Sequence, residues 1–354
     1  MLDRIAGKTA VLLLTSPTSA VRREIRSFLL IRPGGIGDAV LLIPIIRVIK
    51  KQFTQAKITV LAERRNASTF QLCPEVDQIL LYDRLSDLIA VLRTDFDVVI
   101  DTEQWHRLSA VVARLTRAPL LIGYATNERA RLFTHPVAYG HENYERDSFS
   151  RLVEPLGIHP EVPDHAYLTV SSEAAQTADM LLKGLDGKPF VAIFPGASIP
   201  ERRWGAGKYG EVAARFHRHG IPIVVIGGKE DVSDGEKIVA GKFGLNLTGK
   251  TSLVETAAVI NKSALLVSAD SGILHIGVGL DKPTVSLFGP GIAKKWAPRG
   301  DRHIVLNKGL ACSPCTSFGN TPKCPINAKC MAEISVEEVV AAVEKLMGKF
   351  LQET

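Results

Sequence analysis

The chain has 354 residues, is 46% hydrophobic and 6% aromatic, and carries a formal net charge of +6. This length predicts about two globular domains, and no run of about 18 apolar residues, the length of a membrane-spanning helix, is present. The mildly basic balance fits anionic substrates or an anionic membrane surface. Nucleic acid is not expected as a partner, because aromatic residues are few and no Lys/Arg tract is interleaved with them.

The first 27 residues form an unusual N-terminal extension. A short apolar run, Ala10–Leu14, is followed by Arg22, Arg23 and Arg26. In a secretory signal the basic residues precede the apolar run, so this segment is not read as one. Two interpretations remain open: a helix that lies at the interface of an anionic membrane, and a surface helix packed on the domain.

Apolar strand patterns alternate with helical ones over the first half of the chain, which predicts a parallel sheet covered by helices on both faces. The predicted strands are Phe28–Arg32, Ile58–Leu61, Gln78–Tyr82, Asp97–Asp101 and Leu120–Gly123. From His135 to Asp164 the pattern fades into charges and prolines, which predicts loop and short helix near a domain boundary.

A second series of the same kind follows. Its predicted strands are Phe190–Phe194, Ile221–Ile226, Ala264–Ser268, Thr284–Phe288 and His303–Leu306. We therefore expect an α/β fold with two doubly wound, Rossmann-like domains facing an interdomain cleft, because ligands of such sheets bind beyond the carboxyl ends of the strands. The expected segments are the extension 1–27, a first domain 28–170, a second domain 171–334 that ends in a cysteine-rich tail, and a C-terminal helix 335–354.

The first strand ends in a glycine-rich turn, Arg32-Pro33-Gly34-Gly35-Ile36-Gly37-Asp38. The turn lacks the G-x-G-x-x-G spacing of a dinucleotide fingerprint, so a nicotinamide cofactor is not expected. Glycines at Gly35 and Gly37 let a ligand approach the backbone. Asp38 could accept a proton from a hydroxyl nucleophile, or it could simply cap the following helix.

The first strand of the second domain ends in a loop that contains Ser198, Arg202 and Arg203. Hydroxyl groups, backbone N–H groups and guanidinium forks suit a diphosphate, although a solvated arginine pair is the alternative. After the next strand, Glu230 or Asp231 could bind ribose hydroxyls, or could belong to a plain surface turn.

Asp270, Ser271, Gly272 and His275 lie in one short run that joins a strand to a helix. The N-terminus of a helix binds anions through free backbone N–H groups and the helix dipole. Ser271 and Gly272 would let an anion reach the backbone, and Asp270 would take hydroxyl groups. The alternative for Asp270 is an ordinary helix cap.

Cys73 stands alone, whereas four cysteines follow the pattern Cys312-x2-Cys315-x8-Cys324-x5-Cys330. This is not the disulfide framework of a secreted protein, so the cytoplasm is the expected compartment. The x8 and x5 spacings are unlike the usual paired zinc knuckles. Metal binding and disulfide formation both remain open.

Taken together, these segments resemble glycosyltransferase family 9, the ADP-heptose:lipopolysaccharide heptosyltransferases, in particular the heptosyltransferase-II-like members. The resemblance covers about Phe28 to Met347. It depends on the Arg32–Asp38 turn with Pro44 beyond it, Pro195–Ser198 with Arg203-Trp204, Asp270-Ser-Gly-x-x-His275, Lys282-Pro283 through Leu287–Pro290, and the tail ending in Cys330-Met331.

The resemblance implies a GT-B fold and inverting transfer, with no catalytic metal and no cofactor. It implies Asp38 as the general base and Arg202, at a position where the family usually has lysine, as the cation that neutralises the leaving diphosphate. The remaining expected donor contacts are Ser198, Arg203, Glu230, Asp270, Ser271, Gly272 and His275, and the expected acceptor contacts are Gly35, Gly37, Arg64 and Arg65.

The function that follows is transfer of a heptose or related sugar, from a nucleotide-diphospho-sugar such as ADP-heptose, to a hydroxyl of a lipopolysaccharide core or similar anionic glycolipid. The protein would act in the cytoplasm, at the periphery of the inner membrane and in contact with its anionic surface. The alternatives are a GT-B-type sugar-nucleotide epimerase and a non-catalytic glycan-binding protein of the same fold.

Overall fold

The computed structural model describes residues 3–18, 24–160, 166–240, 244–317 and 320–353. These residues form two compact units, Met1–Pro163 and Asp164–Thr354. Each unit contains a six-stranded sheet, and all strand pairs within both sheets are parallel. The predicted α/β fold with two Rossmann-like domains is confirmed.

The sheet of the first unit has the order β3-β2-β1-β4-β5-β6, which is the strand order of the Rossmann fold. Its strands are β1 Ser27–Arg32, β2 Lys57–Ala62, β3 Gln78–Leu81, β4 Val98–Asp101, β5 Leu120–Tyr124 and β6 His135–Val137. Its α-helices are α1 Lys8–Leu13, α2 Ile36–Gln52, α3 Leu85–Leu92, α4 Arg107–Leu115 and α5 Glu145–Arg151. A π-helical turn, Asp3–Gly7, and 3-10 turns at Ala67–Leu72, Glu128–Leu132 and Glu154–Leu156 complete it.

The sheet of the second unit repeats this arrangement, with the order β9-β8-β7-β10-β11-β12. Its strands are β7 Val191–Phe194, β8 Ile223–Val225, β9 Gly244–Asn246, β10 Leu265–Ala269, β11 Thr284–Phe288 and β12 His303–Asn307. Its α-helices are α6 Ser172–Leu182, α7 Ala206–Arg218, α8 Val232–Ile238, α9 Leu253–Lys262, α10 Gly272–Gly279, α11 Ala293–Trp296, α12 Lys329–Ala332 and α13 Val336–Glu353. Its 3-10 turns are Lys183–Leu185, Pro200–Arg202 and Lys229–Asp231.

Every predicted strand overlaps an observed one, and the structure adds β6 and β9. Both are three-residue strands at the edge of a sheet. Segments this short carry no readable alternation, and Pro136 is tolerated in β6 because an edge strand leaves one row of N–H groups unpaired. The stretch expected to be loop and short helix therefore holds an edge strand as well as α5.

The boundary between the units falls between Pro163 and Asp164 and not at residue 170, where we expected it. The physical reason is that the backbone N–H groups of Tyr167 and Leu168 donate hydrogen bonds to the carbonyl of Gly279, at 2.8 and 2.9 Å. Both side chains are buried, so this segment belongs to the second unit.

The two ends of the chain pack on the units rather than forming separate segments. Asp3 accepts hydrogen bonds from the backbone N–H groups of Arg107 and Leu108, at 2.7 and 2.8 Å, and so caps α4. Val11 is completely buried in the core of the first unit. At the other end, Ser335 and Glu338 form the predicted capping box, and α13 packs on α7 and the second sheet.

The strand orders determine where the loops that follow β1, β4, β7 and β10 lie. In the first unit β1 is flanked by β2 and β4, and the chain runs from β1 to β2 on one side before it returns to β4 on the other. The carboxyl ends of β1 and β4 therefore border the crevice where ligands bind in doubly wound sheets. The carboxyl ends of β7 and β10 occupy the same position in the second unit.

No helix in the described part of the chain is both long and apolar enough to cross a membrane.

Candidate active site

The glycine turn after β1 places Asp38 in the first turn of α2. Gly34 has a φ of 115°, a conformation that a side chain would strain, and this bends the chain sharply. Gly35 is the N-cap of α2 and provides no side-chain cap. Asp38 is thus the third helical residue and not the N-cap, so the simple capping interpretation is not supported. Its carboxylate still benefits from the positive end of the helix dipole.

A buried guanidinium lies beside Asp38. Arg32, the last residue of β1, is only 1% exposed, and its Nη2 lies 3.8 Å from Oδ2 of Asp38 and 3.1 Å from Oε2 of Glu103. Burial lowers the pKa of Arg32, but Asp38 and Glu103 more than offset this effect, so the pKa is raised and the group stays charged. Burial likewise raises the pKa of Glu103, and Arg32 reverses the shift to a net decrease.

Further polar side chains lie close to this group. Glu145, at the start of α5, is completely buried and accepts hydrogen bonds from the hydroxyl of Tyr139 at 2.9 Å and from Nε2 of Gln104 at 2.6 Å. Burial, followed by the charge of Glu145, raises the pKa of Tyr139 strongly, so its hydroxyl stays protonated. The first unit therefore presents Asp38 beside a buried polar network.

The predicted acceptor contacts lie at the same edge of the sheet. Arg64 and Arg65 are exposed just beyond the end of β2, where Arg64 lies near Asp83 and Arg65 pairs with Glu63. Gly35 is exposed, and a Cβ placed on it would meet no atom within 4 Å. Gly37 lies in the first turn of α2. Their contacts with an acceptor stay a prediction.

In the second unit, Asp270 follows the end of β10. Ser271 is the N-cap of α10, and its Oγ accepts a hydrogen bond from the N–H of Leu274, so Asp270 is not the cap. The Asp270 carboxylate is 5% exposed. Its Oδ2 lies 3.1 Å from Nη1 of Arg202 but has no well-aligned hydrogen-bond donor. Burial raises the pKa of Asp270, and the nearby guanidinium opposes this shift.

Arg202 and Asp270 thus meet at the crevice between β7 and β10. Arg202 ends the 3-10 turn after β7, and its side chain is 17% exposed. Its Nε is buried without a hydrogen-bond partner. Two unsatisfied polar atoms on adjoining charged side chains are costly unless a ligand pairs with them. Buried polar atoms that lack hydrogen-bond partners within the protein are suited to bind a polar ligand, and this site has two of them.

His275 lies one turn into α10 and is 3% exposed. Its Nδ1 has no hydrogen-bond partner, and burial lowers its pKa to about 4. The imidazole is therefore neutral at pH 7. It can offer a hydrogen bond to a donor sugar nucleotide but no positive charge.

The other predicted donor contacts occupy different environments. Arg203 pairs with Asp231 at 3.4 Å and Asp234 at 3.2 Å, so its guanidinium ties the loop after β7 to α8. Ser198 and Glu230 are exposed. Asp231 is buried and accepts a hydrogen bond from the N–H of Gly228 at 3.0 Å. Donor binding by Ser198, Arg203 and Glu230 stays a prediction, and the geometry supports a bracing role for Arg203.

Sequence reasoning missed three residues that shape these sites. Arg32 and Glu103 flank Asp38, and the signal available for Arg32 was a charge at the end of an otherwise apolar strand. Gly291 is buried against Asp270, where a Cβ would lie 2.0 Å from Oδ2. Only tertiary structure brings Gly291 to Asp270, so the sequence offered no signal for it.

Cys312, Cys315, Cys324 and Cys330 line one pocket of about 110 Å³ in the second unit, together with Glu201 and Pro290. All four are free thiols. Among the described residues, no three Cys, His, Asp or Glu side chains are arranged to hold a metal ion.

Comparison with known proteins agrees with this architecture. The sequence model of "Glycosyltransferase family 9 (heptosyltransferase)" matches residues 86–325. Lipopolysaccharide heptosyltransferase 3 of Escherichia coli (strain K12) is 26% identical over 344 residues, which cover 88% of this chain and 95% of that protein.

Among solved structures, the family 9 glycosyltransferase of Veillonella parvula DSM 2008 superimposes with a TM-score of 0.77 at 23% identity, covering 92% of this chain and 99% of the other. The E. coli ADP-heptose LPS heptosyltransferase II gives a TM-score of 0.74 at 22% identity, with the same coverage of both chains. The fold is therefore GT-B, and neither the epimerase nor the non-catalytic alternative is favoured. The chain belongs to glycosyltransferase family 9.

Proposed function

We propose that this glycosyltransferase moves a heptose from ADP-heptose, with inversion at the anomeric carbon, to a hydroxyl of a lipopolysaccharide core. Both substrates are supported by the similarity to lipopolysaccharide heptosyltransferase 3 and to the ADP-heptose LPS heptosyltransferase II of E. coli. The observation that carries the proposal is the pair of half-sites at equivalent positions of the two sheets. One carries a carboxylate at a helix start, and the other a guanidinium beside a helix N-terminus.

The first unit is proposed to bind the acceptor. Asp38 takes the proton of the acceptor hydroxyl as the oxygen bonds to the anomeric carbon, from the face opposite the diphosphate. Arg64 and Arg65 are exposed at the same sheet edge, where they would attract the anionic groups of the acceptor.

The second unit is proposed to bind the donor. The bond from the anomeric carbon to the diphosphate breaks as the new bond forms, and its electrons leave with ADP. Arg202 and the backbone N–H groups at the start of α10, which follow Ser271 and Gly272, stabilise the negative charge that develops there. Asp270 and the neutral His275 would orient the sugar and the nucleotide by hydrogen bonds.

The test compares Asp38→Asn with a matched control in the same unit, Asp95→Asn, because Asp95 is exposed. We expect Asp38→Asn to lose at least about 100-fold in turnover, the contribution typical of a general base. Donor affinity, measured by calorimetry, should stay near the wild-type value in both variants. Wild-type turnover by Asp38→Asn would refute the base assignment. A thermal-shift series with ADP-, UDP- and GDP-sugars identifies the donor, because a ligand of the native state raises the melting temperature.

We also propose that the protein works at the periphery of the inner membrane, in contact with its anionic surface. The support comes from α1 and the turn before it. Ile5, Leu12 and Leu13 are 61%, 57% and 80% exposed, while Val11 is buried. Apolar side chains this exposed suit insertion between lipid headgroups.

Basic residues flank this apolar patch, which consists of Ile5, Leu12 and Leu13. Arg114 donates to the carbonyl of Thr15 at 2.9 Å, and Arg131 to that of Leu14 at 3.5 Å, which places both guanidinium groups at the end of α1. Cations beside exposed leucines complement phosphatidylglycerol headgroups.

Vesicle co-sedimentation tests the membrane contact. The double variant Leu12→Ser/Leu13→Ser should lose binding to phosphatidylcholine vesicles that contain phosphatidylglycerol. The matched control is Leu85→Ser, whose side chain is 72% exposed on α3. Equal sedimentation of the double variant and the control would exclude this contact. A loss of self-association in place of lipid binding would assign the patch to a second copy of the chain.

A further inference from the structure

We infer that Arg32 and Glu103 act as a positioning pair that fixes the direction and the ionisation of the Asp38 carboxylate. This inference rests on the proposed role of Asp38 as the general base. Neither residue reaches the reacting atoms by itself, so both would act through Asp38.

Arg32 is held so that its guanidinium has one position. Its Nε donates to the carbonyl of Pro33 at 2.7 Å, and its Nη1 donates to the carbonyl of Thr102 at 2.8 Å. The side chain lies 5.8 Å from the ring centroid of Phe149, with the guanidinium over the ring face. These contacts leave Nη2 as the group that faces carboxylates.

Nη2 is shared between two carboxylates. It donates to Oε2 of Glu103 at 3.1 Å and lies 3.8 Å from Oδ2 of Asp38. The other oxygen of Glu103 accepts from the backbone N–H groups of Trp105 and His106, at 3.0 and 3.3 Å. The Glu103 carboxylate is therefore held in a fixed position, from which it competes with Asp38 for the positive charge of Arg32.

This sharing has a chemical consequence. A guanidinium about 4 Å from a carboxylate favours its ionised form, whereas a second carboxylate on the same guanidinium weakens that effect. Arg32 therefore attracts the Asp38 carboxylate to a fixed point, and Glu103 limits the strength of that attraction. Gly34 leaves room for this contact, because a Cβ there would lie 3.1 Å from Nη2 of Arg32 and 4.0 Å from Oδ2 of Asp38.

The groups around this cluster come from each neighbouring element. They are Arg32 of β1, Asp101 and Glu103 at the end of β4, Tyr124 of β5, Tyr139 and Glu145. Burial raises the pKa values of both tyrosines strongly, so they stay neutral. Asp101 is paired with Arg129. Arg32 is the cation of this group that lies within 4 Å of the Asp38 carboxylate, and Glu103 shares it.

The pH dependence of kcat/KM provides the test, because its acid limb reports the free-enzyme pKa of the base. Glu103→Gln removes the carboxylate that shares Nη2 with Asp38, so the charge of the fixed guanidinium is no longer divided, and we expect the acid limb to move down by about one unit. Arg32→Lys keeps the charge on a shorter side chain without a guanidinium fork, so the charge lies farther from Asp38, and the limb should move up by less than the roughly one to three units expected when an arginine is lost altogether. Glu75→Gln, which removes the 3.2 Å pair with Arg47 in the same unit, is the matched control and should not move the limb.

Opposite shifts in the two variants support the positioning pair, since a merely structural role would lower activity without moving the limb in either direction. Equal or absent shifts would overturn the inference. An NMR titration of ¹³C-labelled aspartate carboxyl groups, with Asp38→Asn used to assign the signal, gives the same answer without turnover. If Asp38→Asn keeps wild-type turnover, the proposed function fails. If Asp38→Asn is inactive but the acid limbs of Glu103→Gln and Arg32→Lys do not move, only the positioning role of Arg32 and Glu103 is rejected.

Discussion

Gly291 offers a sharp test of how the donor half-site is built. The residue is buried beside Asp270, and a Cβ at this position would lie 2.0 Å from Oδ2. Real Cβ atoms do not approach an oxygen so closely. In Gly291→Ala the carboxylate must therefore retreat, by roughly 1 Å or more to reach a tolerable contact. The 3.1 Å contact between Asp270 and Arg202 would then be lost.

The magnitude follows from the hydrogen bond that the displaced Asp270 carboxylate would no longer make to the donor. A hydrogen bond or ion pair that involves a charged group contributes about 1.5–3 kcal/mol. Donor affinity should accordingly fall by about 10-fold to 150-fold, because each 1.4 kcal/mol is a factor of ten. Gly207→Ala is the matched control: a Cβ on Gly207 meets nothing within 4 Å, and the residue lies inside α7. Alanine there should leave donor binding unchanged and raise stability by about 1 kcal/mol.

Calorimetry with ADP and steady-state kinetics with the sugar nucleotide measure the effect. The decisive comparison is Gly291→Ala in an Asp270→Ala background. If the glycine acts through the carboxylate, the added methyl group costs nothing further once Asp270 is removed, and the two changes are strongly non-additive. Wild-type donor affinity in the single variant, or additive losses in the double variant, would refute this account of the site.

Three further predictions concern stability and reactivity. Arg129→Met should cost about 3–5 kcal/mol in urea unfolding, because it leaves the completely buried Asp101 unpaired; adding Asp101→Leu should recover much of the loss. Burial lowers the pKa of His275 from 6.5 to about 4, so the unfolded chain takes up the proton first as the pH falls. Between pH 7 and pH 5 the free energy of unfolding of the wild type should then fall by about 2 kcal/mol more than that of His275→Gln. Parallel plots of unfolding free energy against pH for the two proteins would contradict this. Iodoacetamide should alkylate the exposed Cys312 in the native protein but not Cys73, whose pKa burial raises to about 12, and mass spectrometry after brief labelling checks both sites.

The sequence by itself determined the elements and the places where chemistry could occur. Buried parallel strands are continuous apolar runs, and helices between them keep an amphipathic period, so both series of strands were readable. The glycine turn before Asp38 and the strand-to-helix turn at Asp270–Gly272 were readable for the same reason, since both are local patterns, although the sequence offered Asp270 as a candidate cap of α10 and the structure has Ser271 there. Acidic side chains at strand ends could be placed at the mouth of a sheet, because parallel strands end at one edge.

The tertiary structure decided which of these ends meet and what each side chain pairs with. Asp38 acquires Arg32 and Glu103 as neighbours because β4 pairs with β1. Arg202 reaches Asp270 because β10 pairs with β7. Residues so far apart along the chain meet only through strand order and register, which local periodicity does not encode. The same limit applies to Arg203, which the sequence offered as a diphosphate contact and which the fold pairs with Asp231 and Asp234.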